Sequence, residues 1–410
     1  MAIETAKVQD FSRGMTNTVP DNRVPDGFLR DTLNLEPRGS TLSLRAGYKK
    51  IVDGADVNSV MSLGNQIIFL DGDTLKKLDL NTNTVDDLLS VNGAGGATGV
   101  VLNGELFFQT RDQMLRYDGN EIRQWGVPDV LSQPVPTVSS TTAQDQDKPE
   151  EKRLFAMTWV NSSGEEGGTT APILINSTVG SYSVSIPSKP GFSARLYFSE
   201  PGGQILYSEG EATPGGTVTV SRPEAVGPTL QNVGLRQVPK GSHMATTGGI
   251  ICIADGSNVF ITEPFQPHLY DPATGFVQYP KKIGMLLSGS AGVYVSSDEC
   301  YLLTNLETEN IQQRTVLNYP AVSGTGTEIA DGRAVWVTKY GLAVESSQDG
   351  VPVIEEPSKQ TFSPPPAETG VLGYFEVGGR QMAVSSLSQR SSSAGQLAAS
   401  DFFEAEVVKK

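Results

Sequence analysis

The chain has 410 residues, with 31 Lys and Arg against 46 Asp and Glu, a net charge of −15. Two cysteines and two histidines exclude a disulfide framework and a cysteine- or histidine-rich metal centre. The acidic balance disfavours wrapping nucleic acid by phosphate neutralisation, and 44 Gly with 25 Pro point to a fold dense in turns.

Residues 1–56 read as an N-terminal arm and hairpin. Met1 to Asp10 has no apolar core behind a basic start, so no secretory signal is expected. Arg23, Arg30, Arg38 and Arg45 are interleaved with Pro20, Pro25 and Pro37. The pattern predicts a strand from Phe28 to Leu35, a turn at Pro37-Arg38-Gly39 and a strand from Thr41 to Leu44. Such a hairpin either closes the fold or reaches to a neighbouring subunit.

Residues 57–130 carry short apolar strands joined by tight turns. Gln66 to Leu70 is followed by Asp71-Gly72-Asp73 and Leu75 to Leu80. Leu102-Asn103-Gly104 leads into Glu105 to Gln109, then Met114 to Tyr117 and Asp118-Gly119-Asn120. Asn-Gly, Asp-Gly and Gly-Gly supply the positive φ of two-residue hairpin turns. Asp71-x-Asp73 lacks the closing Glu of a calcium loop and reads as a turn. Asn92 to Ala97 is glycine-rich without a following helix, hence an inter-sheet loop and no phosphate cradle.

The rhythm breaks over 131–240. Pro134, Pro136 and Ser139 to Thr142 mark a linker, and Gln144 to Lys152 reads as a polar loop. The runs Leu154 to Val160, Tyr182 to Ile186, Ala194 to Phe198, Ile205 to Tyr207 and Thr217 to Val220 predict an inserted fibronectin-like β-sandwich. The blade rhythm returns over 241–387, from Gly248-Gly249 and Ile250 to Ala254 through Val371 to Val384. Residues 388–410 form a C-terminal tail whose Phe402, Phe403, Val407 and Val408 either anchor a terminal strand or a partner contact or belong to a fraying terminus.

Copies recur at roughly 35–45 residues once the insertion is removed, the period of four-stranded propeller blades. The fold class expected is all-β, a β-propeller-like body of about five to six blades carrying the inserted sandwich. Stacked sandwiches or unconnected meanders are the competing arrangement.

Chemistry-bearing motifs are sparse. Ser288-Gly289-Ser290-Ala291-Gly292 lacks the first glycine of a nucleophile elbow. Glu150-Glu151, Glu165-Glu166 and Glu355-Glu356 read as solvated loop charge and not as a glycosidase pair. His243 sits mid-chain in Lys240 to Met244, and His268 lies between Pro267 and Pro272 in a structured turn. Cys252 and Cys300 read as strand residues. No catalytic, cofactor-binding or metal residue is expected, no cofactor, and no membrane-spanning segment.

Three stretches carry a resemblance. Phe11-Ser12-Arg13-Gly14-Met15-Thr16-Asn17 with Pro25 to Leu35 and Leu44 to Tyr48 resembles the opening of tail nozzle or hub (tail tubular) proteins of short-tailed bacteriophages. Ile261-Thr262-Glu263-Pro264-Phe265-Gln266-Pro267-His268-Leu269-Tyr270-Asp271-Pro272 is similar to a stretch of the same group, with Thr262 where the group has serine. Arg195 to Gly203 is similar to its inserted-domain strand and turn. The resemblance implies a non-enzymatic virion protein of the tail, made in the host cytoplasm. It implies a homohexameric ring below portal and adaptor (the head–tail connector), attaching tail fibres or tailspikes, through which DNA passes transiently during ejection. An acidic wall suits that role, because it repels phosphates and lets DNA slide. The alternative is a glycan-binding or glycan-cleaving propeller used in host attachment, which needs aromatics such as Trp125, Trp159 and Trp336 gathered on one face.

Overall fold

The computed structural model describes residues 10–30, 32, 35–44, 50–138, 150–177, 181–308, 310–377, 380–389 and 402–405. Its elements are strands, apart from a 3-10 turn at Asp21–Arg23. The sheets pair antiparallel, and outside the insertion the four-stranded ones are meanders whose strands follow one another in the sheet in chain order. The chain falls into two compact units, one of Ala55–Met244 with Gly248–Gln278, the other of Met1–Gly54, Ala245–Thr247 and Tyr279–Lys410.

The first blade comprises Val57–Leu63, Gln66–Asp71, Thr74–Asp79 and Thr84–Ser90. The second comprises Thr98–Leu102, Glu105–Gln109, Met114–Tyr117 and Ile122–Gln124. After the insertion, the third is built from His243–Thr247, Ile250–Asp255, Asn258–Ile261 and Phe276–Gln278. Met285–Gly289, Gly292–Ser296, Cys300–Thr304 and Gln312–Leu317 make the fourth. Thr327–Glu328, Ala334–Thr338, Gly341–Gln348 and Val351–Glu355 make the fifth. A sixth sheet has three strands, Ala367–Val377, Arg380–Gln389 and Phe402–Ala405. The all-β, propeller-like fold of about five to six blades is therefore present. The tail residues Phe402 and Phe403 pair with Ser386 and Ser385, whereas Val407 and Val408 lie outside the described residues.

The blades stack because their central strands are apolar on both faces. Leu106 and Phe108 pack with Ile68 and Leu75 of the first blade. Phe107, between them in sequence, points the other way and packs with Trp125, Ile251 and Ile253. In the other unit, Trp336 joins Tyr294 and Leu302, while its neighbours Val335 and Val337 join Leu372 and Leu387. Successive side chains alternate across a strand, so one strand cements two interfaces. First strands of successive sheets also lie side by side, Val57–Leu63 by Thr98–Leu102 and Met285–Gly289 by Thr327–Glu328. Turn chemistry fixes the registers: Asn103-Gly104 has φ of +52° and +82°, and Gly248-Gly249 has +54° and +85°.

The insertion is a two-sheet sandwich. Thr137–Val138, Ser181–Ser185 and Thr217–Ser221 face Ile173–Ser177, Glu151–Asn161, Phe192–Ser199 and Leu206–Ala212. Its core holds Phe155, Met157, Trp159, Tyr182, Val184 and Phe198, with Phe198 5.0 Å from Phe155 and 5.2 Å from Tyr182 between ring centroids. The polar loop expected to run to Lys152 ends earlier, because the strand begins at Glu151. Arg153 holds that start by donating to the Ser199 and Pro223 carbonyls. Residues 139–149 lie outside the described residues.

The arm departs from expectation. Among the described residues no strand starts at Phe28, and positions 31, 33 and 34 of the expected strand lie outside them; the hairpin is Leu35–Arg38 with Thr41–Leu44, and it turns at Gly39, φ +62°. Pro25-Asp26-Gly27 makes a turn instead, which places Leu29 against Met15 and Phe28 under the Arg13 guanidinium. Asn17 then docks the arm on its own chain. Its Nδ2 donates to the Ser363 carbonyl at 2.6 Å and its Oδ1 accepts from Ser363 N at 2.8 Å.

Glu345 is the strongest polar clamp of the second unit. It is 1% exposed. Its carboxylate accepts from the backbone N–H of Ser290, Ala291 and Ala334 at 2.9–3.0 Å, and from Ser290 Oγ. It thereby ties the fourth blade's Gly289 to Gly292 turn to the fifth blade. Replacing Glu345 with Ala strands the buried N–H of Ala334 and unpairs the more exposed N–H groups of Ser290 and Ala291, and should cost about 1–3 kcal/mol. Urea unfolding followed by near-UV circular dichroism reads this as a lower midpoint for the transition that reports Trp336.

Candidate functional site

The densest polar cluster is built where the insertion leaves and rejoins the blades. The sequence Glu165-Glu166-Gly167-Gly168 forms its centre. Gly168 passes the 235 backbone so closely that a Cβ would lie 2.0 Å from the Leu235 carbonyl oxygen. At Gly167 a Cβ would meet the Pro128 carbonyl at 2.6 Å. Only hydrogen at Cα fits, which lets three backbone segments pair. Val130 N donates to Gly168 O, Thr169 N to Asn232 O and Gly234 N to Thr169 O, at 2.9, 3.2 and 2.9 Å. Gln133 braces them, its Nε2 donating to Thr169 Oγ1 and its Oε1 accepting from Met157 N.

The two glutamates are not solvated loop charge. Glu166 Oε1 accepts from Thr158 Oγ1 at 2.5 Å and Tyr197 Oη at 2.6 Å, and Oε2 from Arg195 at 2.9 Å. Its carbonyl accepts from Asn232 Nδ2 and from His268 Nε2. Glu165 accepts from Asn161 Nδ2 at 2.6 Å and pairs with Arg116 of the second blade at 3.1 Å. These partners lie up to 102 residues away in sequence, so adjacency of two acids did not reveal them. The Gly-Gly following them was the available signal for a close backbone crossing.

The cluster is a joint and not a catalytic dyad. General acid–base work needs a carboxyl free to exchange a proton with a ligand, and both Glu166 oxygens are occupied by the chain's own donors. Burial, then the bond to Glu166, pushes the Tyr197 phenol above its ordinary range. Glu211, bonded by Arg195 and Ser193, is held below the ordinary carboxylate range.

The Ile261 to Pro272 stretch docks on the same joint. His268 is buried and fixed to Glu166, and Gln237 and Arg236 pair with Leu269 and Tyr270. The remaining sequence candidates are spent elsewhere. Glu151 pairs with Arg153. Glu356 accepts from Tyr319, Lys359 and Thr338. Asp71 accepts from Ala55 N, Asp56 N and Lys76, whereas Asp73 accepts from Gly93 N, so the two carboxylates serve different partners. Ser290 is held by Glu345. His243 Nδ1 lies 2.8 Å from Ser242 Oγ. Cys252 and Cys300 are buried and free, their thiols pushed up to about 12 and about 11 by burial. Trp125, Trp159 and Trp336 lie in three separate cores, so none offers a ring to solvent. Among the described residues no group of three or more His, Cys, Asp or Glu is placed to hold a metal ion, and no helix is long and apolar enough to cross a membrane.

No protein-family model matches the chain, and no curated protein matches its sequence. Among solved structures it is similar to BBS1N in complex with ARL6DN, at 12% identity and a TM-score of 0.32, covering 82% of this chain and 92% of that one. It is similar to YCF48 bound to D1 peptide, at 11% identity and a TM-score of 0.31, covering 90% and 96%. It is also similar to a catalytically inactive virginiamycin B lyase from Staphylococcus aureus with quinupristin, at 7% and 0.32, covering 80% and 91%. Likeness at this level carries no activity across.

Two outcomes follow for the joint. Gly168→Ala forces the 235 backbone away and should lower the melting temperature by several degrees, because the new methyl has no space. Because the Glu211 pKa is depressed in the folded state, its contribution is present above the ordinary value of 4.5 and lost as pH falls through the folded value. Glu211→Gln should therefore lower the melting temperature modestly at neutral pH and match the parent at low pH, which flattens the acid limb of a melting-temperature against pH profile.

Proposed function

We propose that this chain is a structural protein of a bacteriophage tail, a nozzle or hub subunit that assembles into a ring of about six copies beneath portal and adaptor, holds fibres or tailspikes, and lets DNA pass. The observation that carries this reading is what the three resembling stretches do in the fold. Asn17 of the first latches the arm to Ser363. Arg195 and Tyr197 of the third hold Glu166. His268 of the second is pinned to the same residue's carbonyl. Each resembling string is thus mechanical, and none leaves a nucleophile or a free carboxylate pair. The net charge of −15 per chain is consistent with a wall that DNA slides past.

Mass photometry and negative-stain microscopy of the purified protein test the reading. A channelled ring of about six subunits, or a monomer that assembles only on a portal–adaptor complex, is expected. A stable monomer that ignores the adaptor and binds host polysaccharide overturns it in favour of a glycan-directed propeller. Since copies of −15 repel one another, added salt should strengthen assembly by screening, which the mass distribution reads directly.

A further inference from the structure

We propose that Phe265 is the knob of a contact between copies of this chain, seated in a cavity floored by Met114, Leu115 and Trp125 of the neighbouring copy. The inference rests on the ring reading above and names the residues that would join its subunits.

Phe265 violates two rules of folding at once. It is 97% exposed. Its φ is +63°. The turn is Glu263-Pro264-Phe265-Gln266, closed by Gln266 N donating to Glu263 O at 3.1 Å. Proline at the second position and positive φ at the third define a type II turn, where glycine or asparagine belongs. A side chain there strains the backbone, and the ring gains no burial in return among the described residues.

The turn is also rigid. Glu263 N donates to Leu269 O and Leu269 N to Gln266 O, at 2.8 and 2.9 Å. His268, just beyond, is buried and bonded to Glu166 O. The aromatic is held out in one orientation before any partner arrives, which removes the ordering cost of binding.

The same unit carries a matching recess. A cavity of about 330 Å³ lies between the second blade and the 237–240 segment. Its floor, Met114, Leu115 and Trp125, is buried, while Asp112, Gln124 and Lys240 form an exposed rim. The buried Trp125 Nε1 has no acceptor. A volume at the small end of ligand pockets, ~300–1,000 Å³, admits one aromatic side chain, which rests on the slightly exposed edges of Met114 and Leu115 above the buried Trp125. Charge agrees: Lys240 on the rim, whose Nζ also donates to the Arg111 carbonyl at 2.8 Å, suits Glu263 beside the knob, and Asp112 is taken up by Asn92 Nδ2 at 2.8 Å. Since Phe265 stands free of its own chain's cavity, the contact is head to tail, the kind that closes into rings.

Sedimentation velocity and thermal melts of the purified chain and two surface variants test this. Phe265→Gly removes the anchor and the strain together. It should weaken self-association by about thirtyfold or more, as for an interface anchor, while raising the melting temperature of the unassembled chain. Gln124→Trp plugs the rim from an exposed position and should weaken assembly to a similar degree without altering the melt. If the parent chain forms rings and both variants keep them, this contact is wrong while the ring reading stands. A Phe265→Gly chain that melts lower than the parent assigns the residue a structural role and overturns the knob. A parent chain that stays monomeric overturns both.

Discussion

The structure turns on one carboxylate. Glu166 sits 16% exposed in its side chain, with three donors on its two oxygens and two more on its carbonyl. Those five donors come from four stretches: the sandwich's Thr158, its strand with Arg195 and Tyr197, the returning Asn232, and His268 beyond the third blade's inner strands. A carboxylate surrounded in this way loses less by leaving water than it would in an apolar site, because charge-assisted bonds replace hydration. The paired glycines beside it permit the backbones to close. Together they convert an insertion, ordinarily a tethered appendage, into a fixed part of its unit.

The blades obey a simpler logic. Central strands such as Glu105–Gln109 and Ala334–Thr338 are apolar on both faces and serve two interfaces each. The buried carboxylate of Glu345 enters with four donors to satisfy it. Charge is left to the surface, where an excess of acid opposes both aggregation and the retention of DNA. Two departures from good folding practice, an exposed Phe265 in a strained turn and a recess above Trp125, lie in the same unit. Their pairing across copies gives both a reason.

Much of the fold was legible because it is local. Asn103-Gly104 and Gly248-Gly249 announce hairpins through backbone geometry that few other residues tolerate, and apolar runs between such turns can only be strands. The insertion showed as a change of rhythm. The arm was harder: Phe28 to Leu35 has strand composition, yet the Pro25 to Gly27 turn and the Arg13–Phe28 contact claim its start. The joint was hidden for a different reason. Glu165 and Glu166 look like surface charge in a window of ten residues, and their partners at 116, 195, 197, 232 and 268 become neighbours only in the folded chain. The tryptophans that the glycan-directed alternative needs on one face each fill the interior of a separate core instead.

The account stands on the joint being rigid, since a mechanical role for the resembling stretches depends on it. Hydrogen–deuterium exchange of the full chain measures this directly at the amides of Gly167, Thr169, Thr170 and Gly234, all of which donate to backbone carbonyls. They should exchange as slowly as Ala156 to Val160 at the centre of the sandwich, opening only with that unit as a whole. Exchange within seconds, at the rate of an exposed loop, would contradict the joint and reduce the insertion to a loosely tethered domain.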